Sequence, residues 1–138
     1  RIQFVWIGCI NYYFAKKIPS NVAFVGEMQC PYSLMNQADI FLMCSREDPF
    51  PIVVLEAMAL GKPVIAFRSG GGAAEALADT GLLLDEMSTE SLVTAIYDLL
   101  RGSARSKELG EMAAQRVRDR YTPERSLAAI RLKVDAML

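Results

Sequence analysis

Histidine is absent from this chain of 138 residues. Neither a Ser-His-Asp triad nor a histidine general base can come from it, so its chemistry must rest on carboxylates, lysines, backbone dipoles or a partner domain. Cysteine is scarce as well. Cys9, Cys30 and Cys44 lie far apart with no histidine for company, a pattern that reads as buried thiols in a reducing compartment and argues against a zinc site. An excess of either charge is also missing: 15 basic residues face 16 acidic ones, for a net charge of −1, which gives no general attraction to nucleic acid. No apolar run approaches the ~20 residues that cross a bilayer, and the chain does not open on a signal-peptide pattern. The setting expected from these absences is cytoplasmic.

What is present is the composition of one packed domain, 52% hydrophobic and 22% charged, with residues enough for a single core. Apolar, β-rich runs at residues 2–7, 22–26, 40–44, 64–67 and 81–84 read as strands,. Helices are expected at 31–38, 52–60 and 73–77, with a weaker pattern at 11–17. Ser88 is a credible N-cap for a further helix with Leu92, Val93, Ile96, Leu99 and Leu100 on one side,. Another runs over 105–121 with Leu109, Met112, Ala113 and Val117 inward, and Thr122-Pro123 opens the last, whose Leu127, Ile130, Val134 and Met137 recur at helical spacing,. Strands alternating with helices imply an α/β, Rossmann-like fold, a parallel sheet with helices on both faces. Ligands of such sheets sit beyond the carboxyl ends of the strands. The loops at Gly8, Gly26, 45–51 and 69–72 fall at that edge.

One stretch organises the rest, Ser45-Arg46-Glu47-Asp48-Pro49-Phe50-Pro51 followed by Ile52-Val53-Val54-Leu55-Glu56-Ala57-Met58-Ala59-Leu60-Gly61-Lys62-Pro63. Glu56 is the one polar side chain on a helix with no hydrophilic face, which is expected to be covered on all sides. A carboxylate there loses hydration and needs strong partners, and no Lys or Arg stands three or four positions away to supply one. The helix start, behind the prolines, offers free N–H groups and the positive dipole end, a place for phosphate. Phosphate at the tip and hydroxyl donors one turn further in describe a nucleotide diphosphate with its ribose. The competing reading makes Glu56 a helix residue satisfied by a backbone group or a buried arginine. Asp48 before Pro49 also suits a plain N-cap. Gly70-Gly71-Gly72 mostly marks a turn and matches neither the dinucleotide nor the P-loop fingerprint.

Residues 45–63 resemble the signature of the retaining glycosyltransferases of the GT-B fold, family 4, in which two acidic residues separated by seven others lead into E-A-M-A-x-G-K-P-V-I. The resemblance implies the carboxyl-terminal, nucleotide-sugar-binding half of a two-domain enzyme, spanning residues 1–138. Glu56 would accept hydrogen bonds from the two ribose hydroxyls, and Asp48, where the family usually has Glu, would contact the donor sugar as the catalytic residue, with Glu47 in reserve. Main-chain N–H groups of Phe50, Ile52 and Val53 would hold the diphosphate, and Gly26, Glu27 and Met28 would contact the base. Gly71, Gly72 and Glu75 resemble the family's G-G-x-P-E donor loop, with Ala74 in place of proline and a structural role for Glu75 favoured. Lys62 is expected to be a solvated loop residue, and Arg105, Lys107, Arg116, Arg118 and Arg120 a solvated helix face.

The implied reaction transfers a sugar from a UDP or GDP sugar to an acceptor hydroxyl with retention, with no cofactor and no metal. The acceptor, a glycan or lipid-linked glycan, would sit on an N-terminal domain outside this chain, as would the family's leading strand with its diphosphate-clamping Arg and Lys. Peripheral association of such a parent with the inner face of a membrane stays open. A nucleotide-sugar epimerase half-domain and a non-catalytic nucleotide-binding module are the alternatives.

Overall fold

The computed structural model describes residues 1–9 and 18–137; the helix expected at 11–17 lies outside the described residues. The chain divides into two compact units, Arg1–Leu34 and Met35–Leu138. In the first, strand β1 (Phe4–Trp6) pairs in parallel with β2 (Val22–Phe24), Val5 opposite Ala23. Val5 and Trp6 are exposed, not buried as the apolar run suggests. Among the described residues β1 has β2 alone as a hydrogen-bonded neighbour, so its apolar side chains are covered only in part. Trp6 packs on Phe24, with ring centroids 6.0 Å apart. Helix α1 (Tyr32–Gln37) follows β2 and runs into the second unit.

The second unit holds a parallel sheet in the order β3-β4-β5, formed by Phe41–Met43, Val64–Phe67 and Leu82–Leu84. β4 is central, and all its residues are buried, the burial expected of an apolar strand inside a parallel sheet. Between β3 and β4 runs α2 (Ile52–Ala59), and between β4 and β5 come a 3₁₀ turn (Arg68–Gly70) and α3 (Ala73–Leu77). Three helices then complete the chain: α4 (Thr89–Arg101), α5 (Ser103–Arg120) and α6 (Pro123–Asp135). Met58, Ile65, Leu77, Leu99, Val54 and Val64 form the centre of the core.

The helix signals act locally and as the residue types require. Ser88 accepts a hydrogen bond from the Ser91 N–H at 3.1 Å, and Thr122 accepts one from the Arg125 N–H at 3.4 Å, each satisfying a donor that the first helical turn leaves open. Gly61, at φ +70°, closes α2. Its N–H donates to the Met58 carbonyl and that of Lys62 to the Ala57 carbonyl, the paired bonds of a Schellman ending. Lys62 is not merely solvated: its Nζ donates to the Asn36 carbonyl in the last turn of α1 at 2.5 Å, a cation at the negative end of a helix.

α2 is covered on one side rather than all round. Val54, Ala57 and Met58 are buried, whereas Ile52 is 68% exposed and Ala59 is also exposed. The buried side packs on α5, where main chain meets main chain: a Cβ on Gly110 would lie 2.1 Å from the Gly61 carbonyl oxygen. This close approach sets the rotation of α5. Its inner face is Leu109, Gly110, Ala113 and Ala114, while Met112, expected inward, is 38% exposed. α4 likewise buries Ala95, Ile96 and Leu99 and leaves Val93 and Leu100 exposed. α6 buries nothing among the described residues, and Leu127, Ile130, Val134 and Met137 stand exposed. Leu127, Ile130 and Val134 share one side of α6 as their spacing predicts, Met137 falls beyond the helix end, and no element of the described residues covers them.

Gly110→Ala separates two opposed effects. In a helix interior the change is worth up to about 1 kcal/mol in favour of alanine, whereas a Cβ in contact with the Gly61 carbonyl forces α5 away from α2. Overpacking wins, and a net loss of about 1–3 kcal/mol is expected in chemical denaturation. A stabilised variant would show that the helices do not meet at this point.

Candidate functional site

Two loops at the carboxyl end of the β3-β4-β5 sheet build the site, residues 44–51 after β3 and 68–72 after β4. They are stitched by backbone. The Asp48 N–H donates to the Gly70 carbonyl and the Gly72 N–H to the Asp48 carbonyl, both at 3.0 Å, forming a parallel bridge between Asp48 and Gly71. Side chains would prevent this. A Cβ on Gly70 would sit 2.8 Å from the Ser45 carbonyl oxygen, on Gly71 2.0 Å from that of Asp48, and on Gly72 2.2 Å from that of Pro49. Gly71 also holds φ +109°, a region that glycine alone adopts freely. The glycine run is thus more than a turn: it is the surface on which the 45–50 loop lies.

The loop delivers the chain into α2 through Pro51, which is the N-cap at φ −72°, ψ 106°, with no side-chain cap. Asp48 is therefore not the cap that its place before Pro49 suggests. Its main chain belongs to the bridge, and it is half-buried, while Glu47 is exposed. Neither carboxylate has a hydrogen-bond or ion-pair partner among the described residues. In the first turn the Val54 N–H folds back on the Pro51 carbonyl at 3.0 Å. The N–H groups of Ile52 and Val53 are left at the helix tip, where the dipole adds positive potential. Phe50 is 37% exposed beside them.

Glu56 lies one turn further on. It is half-buried and shares with Ile52 and Ala59 the side of α2 opposite Val54, Ala57 and Met58, so it faces away from the core. The expectation of a carboxylate sealed within a greasy helix is corrected, since the apolar residues around it are themselves partly open. Glu75 is exposed. Its carbonyl, rather than its carboxylate, carries the contacts here: it accepts from Arg116 Nη2 at 3.1 Å and from the Tyr121 hydroxyl at 3.4 Å, while the Ala76 carbonyl accepts from Arg116 Nε at 2.7 Å. Arg116 is therefore no part of a solvated charge face. Neither it nor Tyr121 was singled out for the site by sequence, because their partners are main-chain atoms some 40 to 46 positions away.

The first unit presents a loop pair of its own. The Gly8 N–H donates to the Gly26 carbonyl at 2.8 Å, and Cys9 Sγ to Glu27 Oε1 at 2.8 Å. Gly26 has φ +73°, and Met28 is 39% exposed. All three cysteines, Cys9, Cys30 and Cys44, are exposed, against the buried thiols expected, because each lies in a loop at the end of an element. The Glu27 carboxylate raises the Cys9 thiol above its ordinary pKa, by accepting its hydrogen bond and by repelling the thiolate,.

Residues 12–116 match the family described as glycosyl transferases group 1. The chain belongs to this family. Over 110 residues it is 31% identical to the N-acetyl-alpha-D-glucosaminyl L-malate synthase of Bacillus anthracis, covering 78% of this chain and 29% of that protein. Over 84 residues it is 37% identical to the D-inositol 3-phosphate glycosyltransferase of Corynebacterium urealyticum, covering 60% of this chain and 20% of the relative. Among solved structures, sucrose-phosphate synthase from Thermosynechococcus elongatus superposes with a TM-score of 0.74 at 29% identity, over 86% of this chain and 31% of that one. Anabaena HepE in complex with UDP superposes with a TM-score of 0.82 at 21% identity, over 96% and 41%. The fold of this group 1 domain is thus the α/β fold of GT-B-type glycosyltransferases, and the chain spans less than half the length of these relatives.

The glycine contacts give a graded expectation. Gly71→Ala and Gly72→Ala should each cost more than about 2 kcal/mol and remove exchange protection at the Asp48 and Gly72 amides. Gly26→Ala, with nothing within 4 Å of its Cβ, should cost only the left-handed strain, about 1 kcal/mol. Equal losses at all three positions would contradict the loop contact. In the first unit, Glu27→Gln removes the charge that raises Cys9, so Cys9 should be alkylated faster near neutral pH. An unchanged rate would mean that the thiol and carboxylate do not meet.

Proposed function

We propose that this chain is the donor-binding, carboxyl-terminal half of a family 4 retaining glycosyltransferase. The observation that carries the reading is the start of α2: backbone donors of Ile52 and Val53 at a helix tip, with Glu56 one turn in and turned from the core. Diphosphate oxygens at the tip would meet N–H groups and the helix dipole, which stabilise the leaving nucleotide as the bond to the sugar breaks. Glu56 would accept both ribose hydroxyls. Asp48, or failing it Glu47, would lie toward the sugar and favour positive charge developing at the anomeric carbon. Phe50 and the 71–75 segment would complete the donor loop.

The likeness to HepE solved with UDP and to relatives named as glycosyltransferases supports a nucleotide sugar as donor; in this reading it is a UDP or GDP sugar, used with no cofactor and no metal. The acceptor, a glycan or lipid-linked glycan, would bind a second domain of a cytoplasmic enzyme, so this chain alone binds donor without turnover. Among the described residues no helix is long and apolar enough to cross a membrane.

Calorimetric titration with UDP and GDP tests the reading. One nucleotide should bind, and Glu56→Ala should weaken it about 100-fold, the loss of two charge-assisted hydrogen bonds. Glu56→Gln, which keeps an acceptor, should fall between. Binding that ignores both substitutions would leave a nucleotide module without this ribose contact. A change in the donor's sugar stereochemistry without acceptor would instead mark an epimerase.

A further inference from the structure

Phe50 enters the site loop between two prolines and is not held by the core. Its support comes from both sides: a Cβ on Gly72 would lie 2.8 Å from Phe50 Cδ2, and the Tyr121 ring packs on it at 5.9 Å between centroids, inclined by 50°. Tyr121 ends α5, where its N–H still donates to the Val117 carbonyl at 2.9 Å. Arg116 stacks over the Tyr121 ring at 6.0 Å and forks onto the Ala76 and Glu75 carbonyls at 2.7 and 3.1 Å. Those carbonyls close α3, the helix that begins directly after Gly72. The contacts form a circuit from Phe50 to Gly72, along α3 to Glu75, across to Arg116 and Tyr121, and back to Phe50.

We propose that Tyr121 and Arg116 are positioning residues that fix the 45–51 and 70–75 loops in one arrangement for the donor; this rests on the donor-binding reading above. Both residues are half-buried and lie beyond Leu109, Ala113 and Ala114, through which α5 joins the core. Tyr121 also lies outside the segment matched to the family, 12–116. The ring of Tyr121 does the holding, because its hydroxyl reaches Glu75 only at 3.4 Å. Arginine is required at 116, since the planar fork serves two carbonyls at once and an ammonium does not.

The test compares Tyr121→Leu, Tyr121→Phe, Arg116→Lys and Arg116→Gln by amide exchange and by UDP and GDP titration. Tyr121→Leu and Arg116→Gln should speed exchange at Asp48 and Gly72 about 10-fold while the β4 amides keep their protection. They should weaken nucleotide binding about 5- to 10-fold, the cost of a loosened site. Tyr121→Phe should behave as the parent, and Arg116→Lys should not rescue. Unchanged exchange at Asp48 and Gly72, a parallel loss at β4, or loosened loops with unchanged affinity would each overturn the proposal. If the parent chain binds neither nucleotide, the donor reading fails, and the exchange measurements still decide whether the brace exists.

Discussion

Main chain lying on main chain is the contact from which the site is built. The 45–50 segment can rest on Gly70, Gly71 and Gly72 only because these positions carry no side chain, and the Asp48–Gly71 bridge then fixes where the chain enters α2. Once this entry is set, the positions of the Ile52 and Val53 N–H groups and of Glu56 follow from helix geometry. The sheet supplies the two strand ends, and the glycines determine how closely their loops can come together.

α2 serves two environments at once. Val54, Ala57 and Met58 anchor it in the core, and the Gly61–Gly110 contact lets α5 come close enough to cover that side. The opposite side keeps Ile52, Glu56 and Ala59 accessible. A helix with one sealed face can hold its tip rigidly while its other face, with Glu56, stays partly open to solvent.

Features encoded within a few residues were legible in the sequence. Gly61 as terminator, Ser88 and Thr122 as caps, β4 as a strand and the short α3 after the glycines all rest on local chemistry, and each stands where the residue types put it. Periodicity also found the apolar stripes of α4, α5 and α6, but not their partners. The small residues Gly110, Ala113 and Ala114 turned α5 by a position relative to its larger side chains, and the stripe of α6 is uncovered among the described residues. The acidic pair and the helix start were visible as a motif. Lys62 on Asn36, Arg116 on α3 and Tyr121 on Phe50 were not, because these contacts join distant segments and two of them end on carbonyls, which every residue carries.

The choice of carbonyls as acceptors has a consequence for how the protein responds to its solution. Arg68 and Asp85 meet at 2.6 Å with both side chains largely in water, so their attraction fades as salt rises. The guanidinium of Arg116 answers to groups that neither titrate nor shed charge. The join between α5 and α3, made to uncharged carbonyls, is accordingly less sensitive to salt than the exposed Arg68–Asp85 pair,.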